Sequence, residues 1–305
     1  MDRILRNVLL YLSNNRYFTE WARKHGRRLG ASRFVAGEDL DSAVRAIRKL
    51  NEAGLCVTVD HLGEFIQSER DAREMSEECV RMLRAIHTNG LDAELSLKLT
   101  SMGLDLPRNL ALENMRFILD EAKKYNIGVT IDMEDYSHCQ QTLEIFKELK
   151  REYSDLGTVL QAYLYRTEED LEHLQYLNPA LRLVKGAYKE SADVAFASKK
   201  DVDENFKKII DKQLLSGNYT AIATHDDSII EYAKEAVNRY KIKSDQFEFQ
   251  MLFGIRSRKQ LQLVSEGYKM RVYVPYGTDW FGYFMRRMAE RPANVLFVMK
   301  GIFSR

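Results

Sequence analysis

The sequence predicts an α/β protein built as a (βα)8 barrel of the TIM type, with extra amino-terminal helices. After residue 38 of this 305-residue chain, eight β-rich runs alternate with longer amphipathic helical segments, which is the element count of such a barrel. Only 16 glycines and 4 prolines are present, as expected for long regular elements joined by short loops. The GxGxxG turn typical of doubly wound dinucleotide-binding folds does not occur in the sequence.

Short runs of aliphatic and β-branched residues predict the strands, and apolar residues at helical spacing predict the helices. The predicted strands are residues 55–60, 93–99, 128–132, 159–164, 181–185, 221–224, 247–252 and 271–274. The predicted helices are residues 41–51, before the first strand, and then 69–88, 110–125, 140–153, 168–177, 202–215, 228–240, 259–266 and 280–290.

Capping residues bound several of these helices. Asp41 is predicted to cap the first helix, which we expect to cover the bottom of the barrel. A glycine directly before a strand predicts a helix end in the left-handed conformation. The glycines at such positions are Gly54, Gly90, Gly157, Gly217 and Gly267.

Positive charge is concentrated at the amino terminus. The whole chain carries a net charge of +1, which gives no chain-wide electrostatic case for binding nucleic acid. Residues 1–33 hold eight Lys or Arg and two acidic residues, among apolar residues close to helical spacing. We therefore divide the chain into an amino-terminal helical extension (1–38, with a linker at 31–38) and a barrel catalytic domain (39–305). The extension either lies on an anionic membrane surface or packs on the barrel with solvated arginines.

Cysteine usage and hydropathy predict the compartment. The three cysteines, Cys56, Cys79 and Cys139, have no CxxC spacing and are expected to be reduced. The sequence shows neither an apolar run of roughly 18 residues nor a signal peptide. These features predict a cytoplasmic protein, with peripheral contact at the inner face of the membrane left open by the basic segment. The histidines share no metal-ligand spacing, so no metal site is predicted.

Polar residues stand where the predicted strands end, and active sites of such barrels form at the carboxyl ends of the strands. The residues at these positions are Asp60, Lys98, Asp132, Glu134, Gln161, Arg182, Lys185, Thr224, His225, Gln250 and Tyr273. Because Lys98, Arg182 and Lys185 make this set rich in cations, the sequence predicts an anionic ligand.

The last predicted helix presents a second charged set. Tyr283, Arg286, Arg287 and Glu290 fall on one helical face. Two arginines oriented by a glutamate can bind a carboxylate bidentately. The alternative is an exposed face with ordinary i,i+4 ion pairs.

Six segments carry a resemblance to a known family. They are residues 97–100 (LKLT), 131–134 (IDME), 182–188 (RLVKGAY), 223–226 (ATHD), 247–252 (FEFQML) and 283–292 (YFMRRMAERP). On these motifs the chain resembles the monofunctional, bacterial-type proline dehydrogenases. The resemblance covers roughly residues 35 to 300. It implies a (βα)8 flavoprotein that oxidises L-proline to Δ1-pyrroline-5-carboxylate by hydride transfer to FAD and passes the electrons to a membrane quinone.

The resemblance implies a role for each matching residue. Asp132 and Arg182 would be catalytic, with Asp132 balancing Lys98 and Arg182 stabilising the reduced flavin near N5. The residues implied in substrate binding are Lys98, Tyr188, Tyr273, Tyr283, Arg286, Arg287 and Glu290, and the two arginines would hold the proline carboxylate. The residues implied in FAD binding are Met133, Gln161, Arg182, Lys185, Gly186, Ala187, Thr224 and His225. The bulk of Tyr273 favours unsubstituted proline over hydroxyproline.

The residues themselves leave two alternatives open. One is a Schiff-base lyase on the same barrel, with Lys98 or Lys185 as the nucleophile in a desolvated site. The other is a non-catalytic barrel that binds an anion.

Overall fold

The computed structural model describes residues 33–63, 66–106 and 110–290, with side chains described as far as residue 285. In these ranges eight parallel strands pair in chain order, and the eighth pairs with the first, which closes the barrel. The strands are β1 (Cys56–His61), β2 (Ala93–Leu97), β3 (Val129–Ile131), β4 (Leu156–Gln161), β5 (Ala180–Val184), β6 (Thr220–Ala223), β7 (Phe247–Leu252) and β8 (Met270–Tyr276). The predicted (βα)8 barrel is confirmed.

In the described part of the chain, one helix precedes β1 and one follows each strand. The helices are α1 (Leu40–Glu52), α2 (Glu69–Thr88), α3 (Leu110–Tyr125), α4 (Tyr136–Lys150), α5 (Thr167–Leu174), α6 (Lys199–Leu215), α7 (Asp227–Tyr240), α8 (Ser257–Ser265) and α9 (Trp280–Glu290). Short 3₁₀ turns at Thr100–Met102 and Gln175–Leu177 complete two of the connections. None of these helices combines the length and apolar character needed to cross a bilayer.

Each strand separates two environments because its side chains alternate between faces. In β1, Val57 and Val59 are fully buried in the apolar core that joins strands to helices. Thr58 and Asp60 occupy the intervening positions, on the face that lines the barrel interior, and both are buried as well. Burial on both faces is typical of an all-parallel sheet. It places the polar strand ends in a largely dehydrated space.

Several predicted boundaries differ from the structure by a few residues, and two of the differences have a clear physical reason. Gly157 does not end a helix but lies inside β4, which runs three residues earlier than predicted and pairs Gly157 with Ala180. A Cβ at Gly157 would lie 2.9 Å from the Ala180 carbonyl oxygen, so this close approach of two strands requires glycine. The cap of α1 is Asp39, whose Oδ1 accepts a hydrogen bond from the Ser42 amide at 2.7 Å. Asp41 lies in the first turn, where its negative charge interacts favourably with the helix dipole and stabilises the helix.

The segment before α1 is attached to the barrel. The Ala36 amide donates to the Pro275 carbonyl at 2.9 Å, and Phe34, which is 1% exposed, packs 6.1 Å from the ring of Phe284. The part of the predicted linker that the structure describes therefore packs against β8 and α9. Residues 1–32, with the basic part of the extension, lie outside the described residues, so the division into domains stays a prediction.

Candidate active site

Five of the polar strand-end residues come together at the carboxyl end of the barrel. Asp60 is the second-last residue of β1, Lys98 and Asp132 follow β2 and β3, Arg182 lies in β5, and Tyr273 lies in β8. Because the strands are parallel, their carboxyl ends meet at one mouth. We call these five residues the mouth cluster.

Two carboxylates in the mouth cluster face one tyrosine hydroxyl and one ammonium group. The Tyr273 Oη atom lies 2.7 Å from Asp60 Oδ2 and 2.6 Å from Asp132 Oδ2. The Lys98 Nζ atom lies 2.8 Å from Asp60 Oδ2 and 3.5 Å from Asp132 Oδ2. Asp60 is 3% exposed, so these charges are paired in a medium that water hardly screens.

A buried guanidinium completes the cluster. Arg182 Nη1 donates to Asp132 Oδ1 at 2.6 Å and to Ser96 Oγ at 3.1 Å, and Ser96 Oγ donates to Asp132 Oδ1 at 2.7 Å. Its Cζ atom lies 5.4 Å from the centroid of the Tyr273 ring, within cation–π range. The Nε atom of Arg182 is buried and has no hydrogen-bond partner in the described part of the chain. A ligand with an acceptor at the mouth could take this N–H.

The surroundings shift the pKa values of the two carboxyl groups, Asp60 and Asp132, in opposite directions. Burial raises the pKa of Asp60 above its ordinary value, although the Lys98 ammonium opposes this effect. Burial alone would also raise the pKa of Asp132, but Lys98 and Arg182 outweigh it and hold that pKa below the ordinary value. Burial and the two carboxylates raise the pKa of Tyr273, so it remains a phenol.

Most residues that the sequence predicts as cofactor contacts lie on the same side of the barrel. Lys185 pairs with Asp203 and with Asp226 Oδ2, the latter at 2.7 Å. Gly186 has φ +108°, and a Cβ there would lie 2.1 Å from the ring of Tyr163, so only glycine fits. Ala187 follows it and is exposed.

Three other predicted cofactor contacts make hydrogen bonds within the protein. His225 Nε2 accepts from the Leu252 amide at 3.0 Å, which fixes its proton on Nδ1. Thr224 Oγ1 accepts from the Asp226 amide at 3.1 Å, and Gln161 Nε2 donates to the Glu134 carbonyl at 2.8 Å. Met133, the last of the set, is 8% exposed.

The sequence predicts an excess of positive charge at the strand ends, but in the described part of the site each of these cations is paired with a carboxylate. Lys98 and Arg182 have Asp60 and Asp132 as partners, and Lys185 has two carboxylate partners of its own. The sequence could not show these pairs because the partners come from other strands and helices. The side chains of Arg286 and Arg287 on α9, the other cations that the sequence predicts to bind a carboxylate, lie outside the described part.

The structure describes the remaining predicted substrate-binding residues only in part. Tyr283 is 7% exposed and belongs to a small apolar cluster with Phe34 and Trp280. Tyr188 is 36% exposed. The side chain of Glu290, like those of the two arginines, lies outside the described residues.

Two residues of the site received no role from the sequence. Ser96 bridges Asp132 and Arg182, and its position two residues before Lys98 on the same strand face is the signal that could have identified it. Asp60 was recognised only as a polar strand end, yet it contacts both Lys98 and Tyr273.

The sequence model of a family described as "Proline dehydrogenase" matches residues 43–300. "Proline dehydrogenase 1" of Bacillus subtilis is 57% identical over 302 residues, covering 99% of this chain and 100% of that protein. "Proline dehydrogenase" of Deinococcus radiodurans is 42% identical over 99% of both chains. Among solved structures, proline utilization A (PutA) from Bdellovibrio bacteriovorus, inactivated by N-propargylglycine, superposes with a TM-score of 0.81 at 24% identity. That likeness covers 90% of this chain and 34% of the other, and it supports the fold alone.

Proposed function

This chain belongs to the proline dehydrogenase family and oxidises L-proline, and we propose that the oxidation takes place at the mouth cluster. The observation that carries this proposal is the arrangement of Asp132 and Arg182. A buried carboxylate is held ionised by two cations, and the guanidinium that it orients keeps one N–H donor without a partner. A fixed, dehydrated donor of this kind stabilises negative charge that develops during a reaction.

The family implies a flavin, and we propose FAD. When bound, the flavin would accept the hydride that leaves C5 of proline. The unpartnered Arg182 Nε fits this cofactor, because a ring that gains negative charge on reduction is stabilised by a fixed donor in a dry site. The residues that would hold it are Met133, Gln161, Arg182, Lys185, Gly186, Ala187, Thr224 and His225.

The substrate would lie between the mouth cluster and α9. Arg286 and Arg287 would bind its carboxylate, with Glu290 orienting them and Lys98 as a third cation. Tyr188, Tyr273 and Tyr283 would enclose the ring. Because Asp132 keeps Arg182 and Lys98 in place through ion pairs, the charges are fixed before the substrate arrives.

In this proposal the product is Δ1-pyrroline-5-carboxylate and the electrons pass on to a membrane quinone. The basic segment at residues 1–33 would bring the protein to the anionic inner face of the membrane.

The lysines argue against the Schiff-base alternative. A lysine attacks a carbonyl only as the neutral amine. Lys98 and Lys185 each form ion pairs with two carboxylates, and a lysine nitrogen engaged in this way is a poor nucleophile. The ion pairs therefore favour the dehydrogenase chemistry over the lyase chemistry.

Product trapping tests the function. The purified flavin-loaded protein is incubated with L-proline, an artificial electron-accepting dye and o-aminobenzaldehyde, which forms a coloured adduct with the cyclic imine. We expect one imine for each dye molecule reduced by two electrons. Dye reduction without imine would contradict the proposal, and a covalent adduct trapped by borohydride with a keto acid would support the lyase.

A further inference from the structure

Asp60 is the member of the mouth cluster for which the matched motifs supply no role. We propose that Asp60 takes up the proton that the ammonium group of proline must lose before oxidation, and that Tyr273 passes this proton to it. Asp60 acts through Tyr273, and it is therefore a positioning residue for the proton rather than a catalytic residue. The inference rests on the proposed function, since it concerns a step of the same reaction.

The geometry around Tyr273 leaves room for one more proton. Its Oη atom lies within 2.7 Å of both Asp60 Oδ2 and Asp132 Oδ2, but a phenol has one proton and can donate to one of them. The other short oxygen–oxygen contact becomes a hydrogen bond only when that carboxyl carries a proton and donates to Tyr273 Oη. The cluster is therefore built to accept a proton on one carboxylate.

Asp60 is the better of the two acceptors. Both Arg182 Nη1 and Ser96 Oγ donate to Asp132 Oδ1, and protonation of Asp132 would weaken this pair of bonds. In the described part of the chain, Asp60 forms an ion pair with one cation, Lys98. The pKa shifts agree with this assignment, because burial raises the pKa of Asp60 while Lys98 and Arg182 hold that of Asp132 below its ordinary value.

The other titratable groups near Asp60 do not compete with it. Besides the mouth cluster, these are His61 beside it on β1, Cys79 on α2 and Tyr276 on β8. Burial raises the pKa of Cys79 to about 12 and that of Tyr276 further, so both stay neutral. Burial lowers the pKa of His61, so it carries no charge at neutral pH. Burial also raises the pKa of Glu134, which faces Lys98, but the amide and hydroxyl of Thr100 both donate to that carboxylate, and it makes no hydrogen bond to Tyr273 in the described part of the chain.

The proton moves from the substrate nitrogen to Asp60 in two transfers, and neither transfer changes an oxidation state. The N–H bond of the ammonium breaks, its proton goes to Tyr273 Oη, and the phenol proton moves to Asp60 Oδ2. The nitrogen keeps its electron pair, which is then available to form the C=N bond as the hydride leaves C5. A raised pKa makes Asp60 a stronger base than an exposed carboxylate, which makes the transfer from an amine less uphill.

The test is the rate of flavin reduction by L-proline across a range of pH, measured anaerobically by stopped flow in the Asp60→Asn variant. In the parent protein the apparent second-order rate constant should fall on the acid side, as Asp60 is protonated by solvent. In Asp60→Asn this decrease of the rate constant at acid pH should disappear, and the rate constant at neutral pH should drop about 100-fold. Asp60→Glu should restore the decrease at acid pH. Thiazolidine-4-carboxylate, whose ring sulfur makes the amine less basic, should lose far less rate in Asp60→Asn, since it arrives largely unprotonated.

The matched control is Asp211→Asn, because Asp211 Oδ2 also accepts a tyrosine hydroxyl, that of Tyr232 at 2.5 Å, but between α6 and α7 outside the barrel. It should show the parent profile. A measurement that needs no variant is calorimetric titration of the parent with tetrahydrofuran-2-carboxylate, which has no amine proton, in buffers of different ionisation enthalpy. Binding of this anion near the mouth cluster should draw a proton onto Asp60 near neutral pH.

Two results would overturn the inference: an Asp60→Asn variant with the parent rate and the parent decrease at acid pH, or a parent that binds the oxygen analogue without proton uptake. If Asp60→Asn does not fold, Asp60→Glu and the calorimetry decide the question. A parent whose flavin is not reduced by proline would instead contradict the proposed function.

Discussion

Replacement of Arg182 by methionine tests the electrostatic part of the proposed mechanism. Methionine keeps the unbranched apolar part of the side chain as far as the position of Nε, but it lacks the guanidinium whose Cζ atom lies 5.4 Å from the centroid of the Tyr273 ring. It removes the charge, the bonds to Asp132 and Ser96, and the unpartnered Nε donor. The change therefore separates packing from charge.

The expected size of the effect follows from these contacts. Loss of a donor that faces developing negative charge costs about 2–4 kcal/mol, which corresponds to a flavin reduction slower by about 30- to 1,000-fold. The free energy of unfolding should fall by about 1.5–3 kcal/mol, the value of one hydrogen bond to a charged group. It should not reach the larger cost of an isolated buried charge, because Ser96, Tyr273 and Lys98 still contact Asp132.

The assay is anaerobic stopped-flow reduction of the bound flavin at saturating L-proline, with urea unfolding measured in parallel. Arg166→Met is the matched control, because Arg166, the residue directly before α5, pairs with Asp170 of that helix and has no contact with the mouth cluster among the described ion pairs. We expect the control to reduce its flavin at the parent rate. An Arg182→Met protein that is folded, loaded with flavin and within threefold of the parent rate would refute the assignment.

Further predictions concern specificity, carboxylate binding and pH. Tyr273→Ser should narrow the preference for L-proline over trans-4-hydroxy-L-proline, read as a ratio of kcat/KM values so that any common loss cancels, and an unchanged ratio would count against a pocket wall at this position. Arg286→Met or Arg287→Met should weaken proline binding by roughly 10- to 100-fold, with a smaller loss of maximal rate. Prolinamide, which lacks the carboxylate, should be a poor substrate for the parent, and its turnover should fall little further in the two variants. A variant that binds proline as well as the parent would show that α9 presents only an ordinary ion-paired face. Lys185→Met tests whether the ion pair with Asp226 makes the stability of the fold depend on pH. Burial would raise the pKa of Asp226, but the hydrogen bond from Lys185 helps to hold that pKa below the ordinary value. Because the folded-state pKa is the lower one, this carboxylate stabilises the fold above its unfolded pKa and loses that contribution as the pH falls. The difference in Tm between parent and variant, measured by scanning calorimetry, should be largest near neutral pH and shrink in acid, and a difference independent of pH would contradict the ion pair.

Much of the barrel could be predicted because its signals are local. The spacing of apolar residues located all eight strands, and α2, α3 and α9 have the predicted bounds. The errors arose where a residue type has two uses. Gly157 fits a helix end as well as a strand that lies close to its neighbour, and only the position of Ala180 across the sheet decides between them.

The mouth cluster was predictable in membership but not in connectivity. Asp60, Lys98, Asp132, Arg182 and Tyr273 could be placed at one end because parallel strands end together. Which oxygen faces which nitrogen depends on the register and stagger of strands far apart in sequence. The positive charge expected from counting Lys98, Arg182 and Lys185 was consequently overestimated.

The visible spectrum of the purified protein, recorded anaerobically before and after addition of L-proline, tests the central claim most directly. The account predicts a yellow protein whose visible flavin absorption is bleached by L-proline. The same addition should bleach Asp132→Ala far more slowly, although that variant should keep its flavin, because Asp132 is not among the residues proposed to hold the cofactor. A colourless protein, or a flavin band that L-proline leaves unchanged, would contradict the account.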